Sequence, residues 1–416
     1  MPQKPDLPDL PDLKNLTRDE TRAALVAMGV EPFRGDQVFR WVHGRGADNA
    51  EAMTDLAKPL RARLAEQAQI GRLEVDTVQV STDGTRKLRL KTADGRYIES
   101  VLIPDGDAGC DLDEDEPESE SAPASAFDGG RKEARTNALA PGLFPKRPKL
   151  TQCISSQVGC ALDCTFCATA KLGFGRNLTA GEIVDQVYRA RDLMKALLPG
   201  DPTLRAGADH VTNIVFMGMG EPLHNLGEVL RALAILSDDH GASFSGRRIT
   251  VSTAGLVPAI RRFAESPVGA RANLAVSLNA TTDPVRDELM PINRKYNIQA
   301  LLSAVREFPL ARRRRVTFEY VLLDGINDSL ADARRLPDLL ADIPAKVNLI
   351  PWNPHPLSPA GTFRRPTDRA ISAFQSELRA RGLAVYVRRS RGRDIDAACG
   401  QLAAKAEPEK LIQLRA

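Results

Sequence analysis

The feature that most constrains the fold of this chain is an alternation of short apolar segments with amphipathic ones after residue 150. The apolar segments have the length and composition of buried strands, and they lie at 152–156, 211–217, 249–252, 274–278, 316–322, 347–351 and 385–387. Most of the segments between them have helical spacing, and capping sequences begin two of the helices, at 179–182 and 225–228.

Repeated strand–helix units build a parallel sheet. We therefore predict an α/β fold in which residues 150–394 form a partial (β/α)6 barrel, with a doubly wound open sheet as the alternative. In both architectures the functional groups lie at the carboxyl ends of the strands.

The first hundred residues predict a smaller module at 16–104. Residues 16–69 have helical spacing, and Thr17 and Glu20 form a capping box at its start. Three alternating segments separated by Asp-Gly pairs, at 75–80, 87–90 and 98–103, predict a small antiparallel sheet. We expect a flexible N-terminus at 1–15 ahead of this helical module and sheet.

A strongly acidic segment separates the two regions. Residues 105–120 contain nine acidic residues and no basic one, and Ser-, Ala-, Pro- and Gly-rich sequence follows, so that 105–149 is predicted to be a disordered insertion. The rest of the chain keeps all 57 Lys and Arg residues against the remainder of the 54 acidic ones and is therefore basic. This excess fits a nucleic-acid partner or a scattered solvated surface equally well.

Several classes of protein are excluded by the sequence. No apolar stretch reaches the roughly 18–20 residues that a membrane span needs. The Pro-rich, acidic start has no apolar region typical of a secretory signal, so we expect a cytoplasmic protein. Six cysteines are too few for a disulfide scaffold, and four of them lie within 153–167, which favours a metal site.

Three of these cysteines, Cys160, Cys164 and Cys167, follow the first predicted barrel strand in a Cys-x3-Cys-x2-Cys pattern. Three thiolates on one tight loop can hold three irons of a cubane 4Fe-4S cluster. The fourth iron is then open to a small molecule that chelates through an amino and a carboxylate group. The alternatives are a zinc site that borrows a fourth ligand, although no nearby His supplies one, and a reduced cysteine-rich turn.

The cysteine pattern and its place after the first strand resemble the radical S-adenosylmethionine (SAM) superfamily. Within it, four further segments resemble the RNA adenine methyltransferases of the RlmN type: Ser-Ser-Gln-Val-Gly-Cys at 155–160, Met-Gly-Met-Gly-Glu-Pro at 217–222, Glu-Leu-Met-Pro-Ile-Asn at 288–293 and Asn-Leu-Ile-Pro-Trp-Asn-Pro at 348–354. The resemblance covers the chain except for the first 15 residues and the insertion at about 106–148, which replaces a usual short connection.

The resemblance implies a set of SAM contacts at the strand ends. Gly220 and Glu221 are expected to hold the amino group of SAM, and Phe166 is expected to pack near its adenine. The other implied contacts are Ser252, Ser277, Leu278, Asn279 and Asn353. Taken alone, each of these polar residues would be read as a strand-end cap.

The resemblance also implies the catalytic residues. Carbon 2 of adenine is electron-poor and carries no acidic proton, so polar methyl transfer has no nucleophile to use. Cys399 is therefore expected to take a methyl group from one SAM, and a second SAM then yields the radical that joins it to the base. Cys153 is expected to resolve that adduct and form a disulfide with Cys399. Glu99, on a strand of the predicted small sheet, is the expected general base. Taken alone, the two cysteines would be small buried hydrophobes and Glu99 a solvent-facing strand residue.

The implied substrates are an adenine of 23S rRNA and an adenine beside the anticodon of tRNA. Basic runs at 312–315 and 388–393 would guide phosphates, the second just before the C-terminal segment 395–416 that carries the methyl-accepting cysteine. The resemblance further implies a monomer and an electron donor such as flavodoxin or ferredoxin. Alternatives are a carbon-8 adenine methyltransferase that confers antibiotic resistance, a radical SAM enzyme with a small-molecule or peptide substrate, and an iron–sulfur or zinc RNA-binding protein without catalysis.

Overall fold

A computed structural model describes residues 10–104, 149–197, 211–358, 361–388 and 390–403. The predicted acidic insertion at 105–149 lies outside these ranges, except for residue 149. Residues 1–9 and 404–416 also lie outside them. None of the helices among the described residues combines the length and apolar character of a membrane span.

The described strands form one ten-stranded sheet and one separate hairpin, made of β5 and β6. The strands are β1 (Glu74–Val80), β2 (Arg86–Lys91), β3 (Tyr97–Pro104), β4 (Leu150–Cys153), β5 (Gln157–Gly159), β6 (Phe174–Asn177), β7 (Asn213–Phe216), β8 (Ile249–Thr253), β9 (Asn273–Ser277), β10 (Val316–Leu322), β11 (Ala345–Pro351) and β12 (Ala384–Val387).

The order of the parallel strands decides between the two predicted architectures. β4 and β7 to β12 are all parallel and are neighbours in the order in which they occur along the chain. A doubly wound sheet reverses its strand order at a switch point, whereas a barrel-type sheet does not. The partial barrel is therefore confirmed.

Helices flank the strands. They are α1 (Arg18–Ala27), α2 (Pro32–Phe39), α3 (Lys58–Gln67), α4 (Ala168–Lys171), α5 (Ala180–Leu197), α6 (Leu226–Ser237), α7 (Val257–Glu265), α8 (Asp283–Leu289), α9 (Ile298–Arg306), α10 (Leu330–Leu340) and α11 (Asp368–Ala380). The capping boxes predicted for α1 and α5 are confirmed. Asn225 is the N-cap residue of α6, as predicted, but its side chain makes no capping hydrogen bond, because its amide donates instead to the carbonyls of Ser156 and Leu178.

The predicted antiparallel strands exist, but they extend the barrel sheet and do not form a sheet of their own. β3 pairs antiparallel with β4, so that Val101 lies opposite Cys153. Successive side chains on a strand alternate between the two faces. Glu99, two residues before Val101, therefore shares the sheet face of Cys153.

The N-terminal helices have a hydrophobic core of their own, with Leu25, Val38 and Met53 among its buried residues. Residues 12–15 were predicted to be flexible, and this is wrong, since Lys14 is buried against the barrel. Its ammonium lies 2.7 Å from Asp185 Oδ1 on α5. A buried amine and a buried carboxylate pair because either one alone would be costly to desolvate.

Replacing Lys14 by Met should lower the free energy of unfolding by about 3 kcal/mol, because the buried carboxylate of Asp185 loses its nearest cation. Urea titration measures the change. Arg18→Met is the matched control, since Arg18 is partly exposed and pairs with Asp238 and with the exposed Asp239. This substitution should cost less than about 1 kcal/mol. Equal losses of unfolding free energy in the two variants would contradict the stabilising role of the buried pair between Lys14 and Asp185.

Candidate active site

The cysteine loop follows β5 and runs from Cys160 to the start of α4. It is a tight loop, in which Cys167 N donates to Cys164 O at 3.2 Å and Asp163 has a positive φ of 49°. Cys160 N donates to Gly173 O at 2.8 Å, which anchors the loop beside β6. The main chain thus holds three thiols on one short segment at the carboxyl side of the sheet.

An apolar cluster surrounds this loop. Cys164 and Cys167 pack against buried side chains that come from five separate parts of the barrel, namely Phe166, Ala254, Leu289, Met290, Leu323 and Trp352. Burial raises the pKa of Cys160 to about 12 and raises that of Cys164 well above its usual value. Binding of a metal cluster would therefore have to displace these thiol protons.

The donor set fits an iron–sulfur cluster better than a mononuclear site. No group of three or more His, Cys, Asp or Glu side chains within the described ranges is arranged to hold a single metal ion. A cubane cluster takes one thiolate on each of three irons, so its ligands need not converge on one point. Three cysteine thiols in an apolar surrounding match that requirement.

Glu221 lies beside this loop, in the Gly-rich turn that follows β7. Its carboxylate accepts from Leu223 N at 3.0 Å and from Ala254 N at 2.8 Å. Gly220 has a φ of +98°, and a Cβ there would lie 2.5 Å from the Gln157 side chain, so a glycine is required. Burial raises the pKa of Glu221 to about 7. The carboxylate is therefore suited to be ionised by a positively charged ligand.

SAM binding should accordingly depend on pH through Glu221. Because its pKa lies near 7 without a ligand, binding of the SAM ammonium below that pH must first release a proton. The affinity of the cluster-loaded protein for SAM should fall from about pH 7.5 to about pH 5.5, approaching tenfold per unit. Isothermal titration calorimetry measures it. In Glu221→Gln the affinity should be low and flat, and an equal pH dependence there would contradict the role.

The other predicted SAM contacts all lie on neighbouring strand ends of the same sheet edge. Ser252 and Ser277 are half-buried near the ends of β8 and β9, and Leu278 follows β9. The Asn279 amide is engaged within the fold, since Oδ1 accepts from Val321 N at 2.8 Å and Nδ2 donates to the sulfur of Met290. Its main-chain carbonyl likewise accepts from Asn327 Nδ2 at 2.8 Å.

Phe166 lies inside the apolar cluster, where its carbonyl accepts from Trp352 Nε1 at 3.3 Å. Asn353 follows β11, and its Nδ2 donates to Cys399 O at 3.3 Å. Asn353 therefore connects the SAM side of the site to the C-terminal segment.

The C-terminal segment returns across the site through main-chain contacts. Ala168 N donates to Gly400 O at 2.8 Å, and Thr169 Oγ1 donates to Leu402 O at 2.7 Å. Gln401 Nε2 donates to Pro354 O at 2.7 Å. These bonds hold the exposed thiol of Cys399 next to the cysteine loop.

Glu99, Cys153 and Cys399 are brought together. Burial raises the pKa of the Cys153 thiol, and the neighbouring Cys399 raises it further. Burial likewise raises the pKa of Glu99, whose Oε2 accepts from Ala403 N at 2.8 Å. No disulfide joins Cys153 and Cys399 in this structure, so the predicted disulfide is not formed in it. Glu99 is buried, contrary to the solvent-facing alternative.

Lys87 is a site residue that the sequence analysis missed. Its ammonium lies 3.3 Å from Glu99 Oε1 and donates to Asp396 O at 3.3 Å. The alternation of β2 could have indicated it, since Lys87 shares a sheet face with Val101, its partner on β3. Lys87 connects the proposed base to the C-terminal segment.

The two basic runs lie at opposite ends of the barrel. Arg312 to Arg315 precede β10 and therefore lie at the amino ends of the strands, so the structure does not bring them to the site. Arg388 follows β12 at the carboxyl end, and its charge lowers the pKa values of Cys153 and Glu319 against the larger effect of burial. A run of charges in a sequence carries no information about which end of a strand it occupies.

Comparisons with known proteins agree with this geometry. The model of the ribosomal RNA large subunit methyltransferase N-terminal domain matches residues 11–70, and that of the radical SAM superfamily matches residues 154–336. A protein of Geobacter sulfurreducens described as dual-specificity RNA methyltransferase RlmN is 46% identical over 398 residues, covering 95% of this chain and 93% of the relative. This chain belongs to the RlmN family.

Other RlmN relatives and a solved structure support the assignment. A protein of the same description from Anaeromyxobacter dehalogenans is 44% identical over 395 residues, or 95% of this chain and 92% of the relative. A radical SAM methyltransferase from Sphaerobacter thermophilus superposes with a TM-score of 0.76 at 41% identity, covering 95% of this chain and 100% of that one. The predicted family and the predicted enzyme class are confirmed. A radical SAM domain takes a 4Fe-4S cluster and SAM, so these cofactors are confirmed as well.

Proposed function

We propose that this RlmN-family enzyme methylates carbon 2 of an adenine in 23S rRNA and of an adenine beside the anticodon of tRNA. The observation that carries the proposal is the placement of the exposed Cys399 thiol beside the cysteine loop and within electrostatic reach of Cys153. Its relatives' description as dual-specificity RNA methyltransferases supports two RNA substrates.

The cofactor ligands follow from the site. Cys160, Cys164 and Cys167 hold the cluster, and Glu221 with Gly220 holds the SAM amino group. Ser252, Ser277, Leu278, Asn279 and Asn353, at the neighbouring strand ends, would hold the rest of SAM. When bound, the cluster and SAM together supply one electron and a carbon radical able to remove hydrogen from a methyl group.

Cys399 acts as the methyl carrier. Its thiolate would attack the methyl carbon of SAM, so that a new carbon–sulfur bond forms as the sulfonium bond breaks and S-adenosylhomocysteine leaves. The exposure of this thiol allows both SAM and the RNA base to reach it. Main-chain bonds on both sides of Cys399, at Gly400 and Ala397, keep the carrier in place.

Glu99 and Cys153 complete the transfer. Once the base is joined to Cys399 through the methylene carbon, the radical adduct must lose one electron, for which a bound cluster would be the acceptor, and Glu99 accepts the proton that carbon 2 loses, a role that its raised pKa favours. The thiolate of Cys153 then attacks the sulfur of Cys399 and breaks the bond between that sulfur and the methylene carbon. The methylene carbon takes up a proton to become the methyl group of the released base, and a disulfide is left between the two cysteines. An external thiol reduces it before the next turnover.

The proposal extends to the partners of the enzyme. The target adenine must leave its stack to reach the strand ends, which favours folded RNA with an accessible loop. An electron donor such as flavodoxin or ferredoxin is expected to reduce the cluster. We propose a monomeric enzyme that acts in the cytoplasm, where its RNA substrates are.

The test of this proposal is the identity of the methylated nucleoside. Reconstituted enzyme is incubated without oxygen with 23S rRNA or tRNA, methyl-labelled SAM and reductant, and the RNA is digested and analysed by mass spectrometry. Labelled 2-methyladenosine is the expected product. Labelled 8-methyladenosine would place the chain with the resistance-type relatives, and SAM cleavage without labelled RNA would exclude both RNA assignments.

A further inference from the structure

Arg286, on α8, is a fully buried guanidinium at the centre of the site. Its Nε donates to Leu278 O at 2.9 Å, and its Nη2 donates to Ala254 O at 2.8 Å and to Ser277 O at 3.1 Å. Its Nη1 donates to Asn293 Oδ1 at 3.0 Å. All four acceptors are uncharged groups, so the hydrogen bonds do not neutralise the guanidinium.

The helix that carries Arg286 also holds the cysteine loop. Thr165, between the second and third cysteines, donates through its main-chain N to Leu289 O at 3.0 Å, one turn along α8 from Arg286. Cys164 packs in the same apolar cluster as Leu289 and Met290. Burial raises the pKa of Cys164, and the Arg286 guanidinium opposes that rise.

On its other side Arg286 reaches the group that is proposed to bind the SAM ammonium. Ala254 donates through its N to Glu221 Oε2 at 2.8 Å and accepts through its O from Arg286. One residue therefore separates the guanidinium from the Glu221 carboxylate. Arg286 is thus bonded to the ends of β8 and β9 and, through α8, to the loop of the three cysteines.

The charged residues near Arg286 do not bind its guanidinium directly. Asp283 and Asp287, on the same helix, attract the guanidinium, but both bind the Asn293 amide and not Arg286 itself. A buried cation is costly unless an anion lies nearby. A cluster on three thiolates is anionic and gains a further negative charge on reduction, and a nearby cation stabilises that reduced form.

We propose that Arg286 is a positioning residue of the cluster site, which fixes the cysteine loop against the SAM-binding strand ends and stabilises the reduced cluster by its positive charge. The two effects can be separated. Lys keeps the charge but cannot reach three carbonyls and an amide at once, whereas Gln loses the charge and keeps one donor group.

The test compares Arg286→Lys and Arg286→Gln in cluster-loaded protein. The control is Arg189→Gln, because Arg189 is another buried arginine, which lies on α5 and pairs with Asp48. Iron content, the cluster midpoint potential from electron paramagnetic resonance titration, and the SAM dissociation constant are measured. In Arg286→Gln the potential should become more negative. In Arg286→Lys the potential should stay near that of the unmodified protein, while SAM binding weakens at least about fivefold. Arg189→Gln should leave both unchanged.

Two outcomes would overturn the proposal. One is an unchanged potential in Arg286→Gln, and the other is an unchanged SAM affinity in Arg286→Lys. If Arg286→Gln does not fold or holds no cluster, the proposal is tested by the SAM affinity of Arg286→Lys, which should be weakened. Because no RNA is present in these measurements, their result is independent of the proposed RNA substrates.

Discussion

Cys399→Ala should abolish RNA methylation, by at least about 1,000-fold, while iron content and reductive SAM cleavage persist. The expected loss is large because the sulfur of Cys399 is the proposed carrier of the methyl group, and no second carrier is proposed. The fold should be unaffected, since the side chain is exposed and the anchoring bond at Gly400 uses the main chain. Labelled methyl in digested RNA is the measured quantity.

Cys110→Ala is the matched control for this experiment. Cys110 is the first cysteine of the chain, lies in the acidic segment and is not among the predicted site residues. Its replacement should leave methylation unchanged. Methylation by Cys399→Ala at a rate within tenfold of the unmodified enzyme would show that the methyl group does not pass through this thiol.

Cys164→Ala should remove the cluster and with it both SAM cleavage and RNA methylation. Cys164 is half-buried against the apolar cluster that contains Leu289 and Met290, whose side chains offer no thiolate to replace it. Iron and sulfide content and visible absorbance measure the loss, and product formation should fall by at least about 1,000-fold.

Cys153→Ala provides the comparison for that variant, because Cys153 is also a buried cysteine but lies on β4, ahead of the loop. It should keep the cluster and cleave SAM, yet fail to release methylated RNA. A normal iron content in Cys164→Ala would contradict the ligand assignment, whereas loss of the cluster in both variants would point to a general loss of folding.

The barrel was predictable because buried parallel strands are apolar along their whole length and are separated by helical segments. The cysteine loop and the glycine before Glu221 were predictable for a similar reason, since local spacing defines them. Cys399 and Glu99, by contrast, carry no local signal, and only the resemblance to the family identified them.

The remaining features depend on contacts between distant parts of the chain. The pairing of β3 with β4 joins strands on either side of the acidic segment, and strand periodicity contains no information about partners. The C-terminal segment docks mostly through main-chain atoms, which any sequence possesses. The alternation of β2 places Lys87 on one sheet face but does not show that it contacts Glu99, and Arg286 was identified only once its acceptors were located.

A pulse–chase measurement tests the central claim most directly. Cluster-loaded enzyme is first incubated with reductant and methyl-labelled SAM without RNA, excess SAM is removed, and the peptide that contains Cys399 is analysed in one portion. RNA and unlabelled SAM are then added to the remainder. The account predicts label on Cys399 before the chase and labelled 2-methyladenosine from the first turnover. Unlabelled product from an enzyme whose Cys399 retains its label would contradict it.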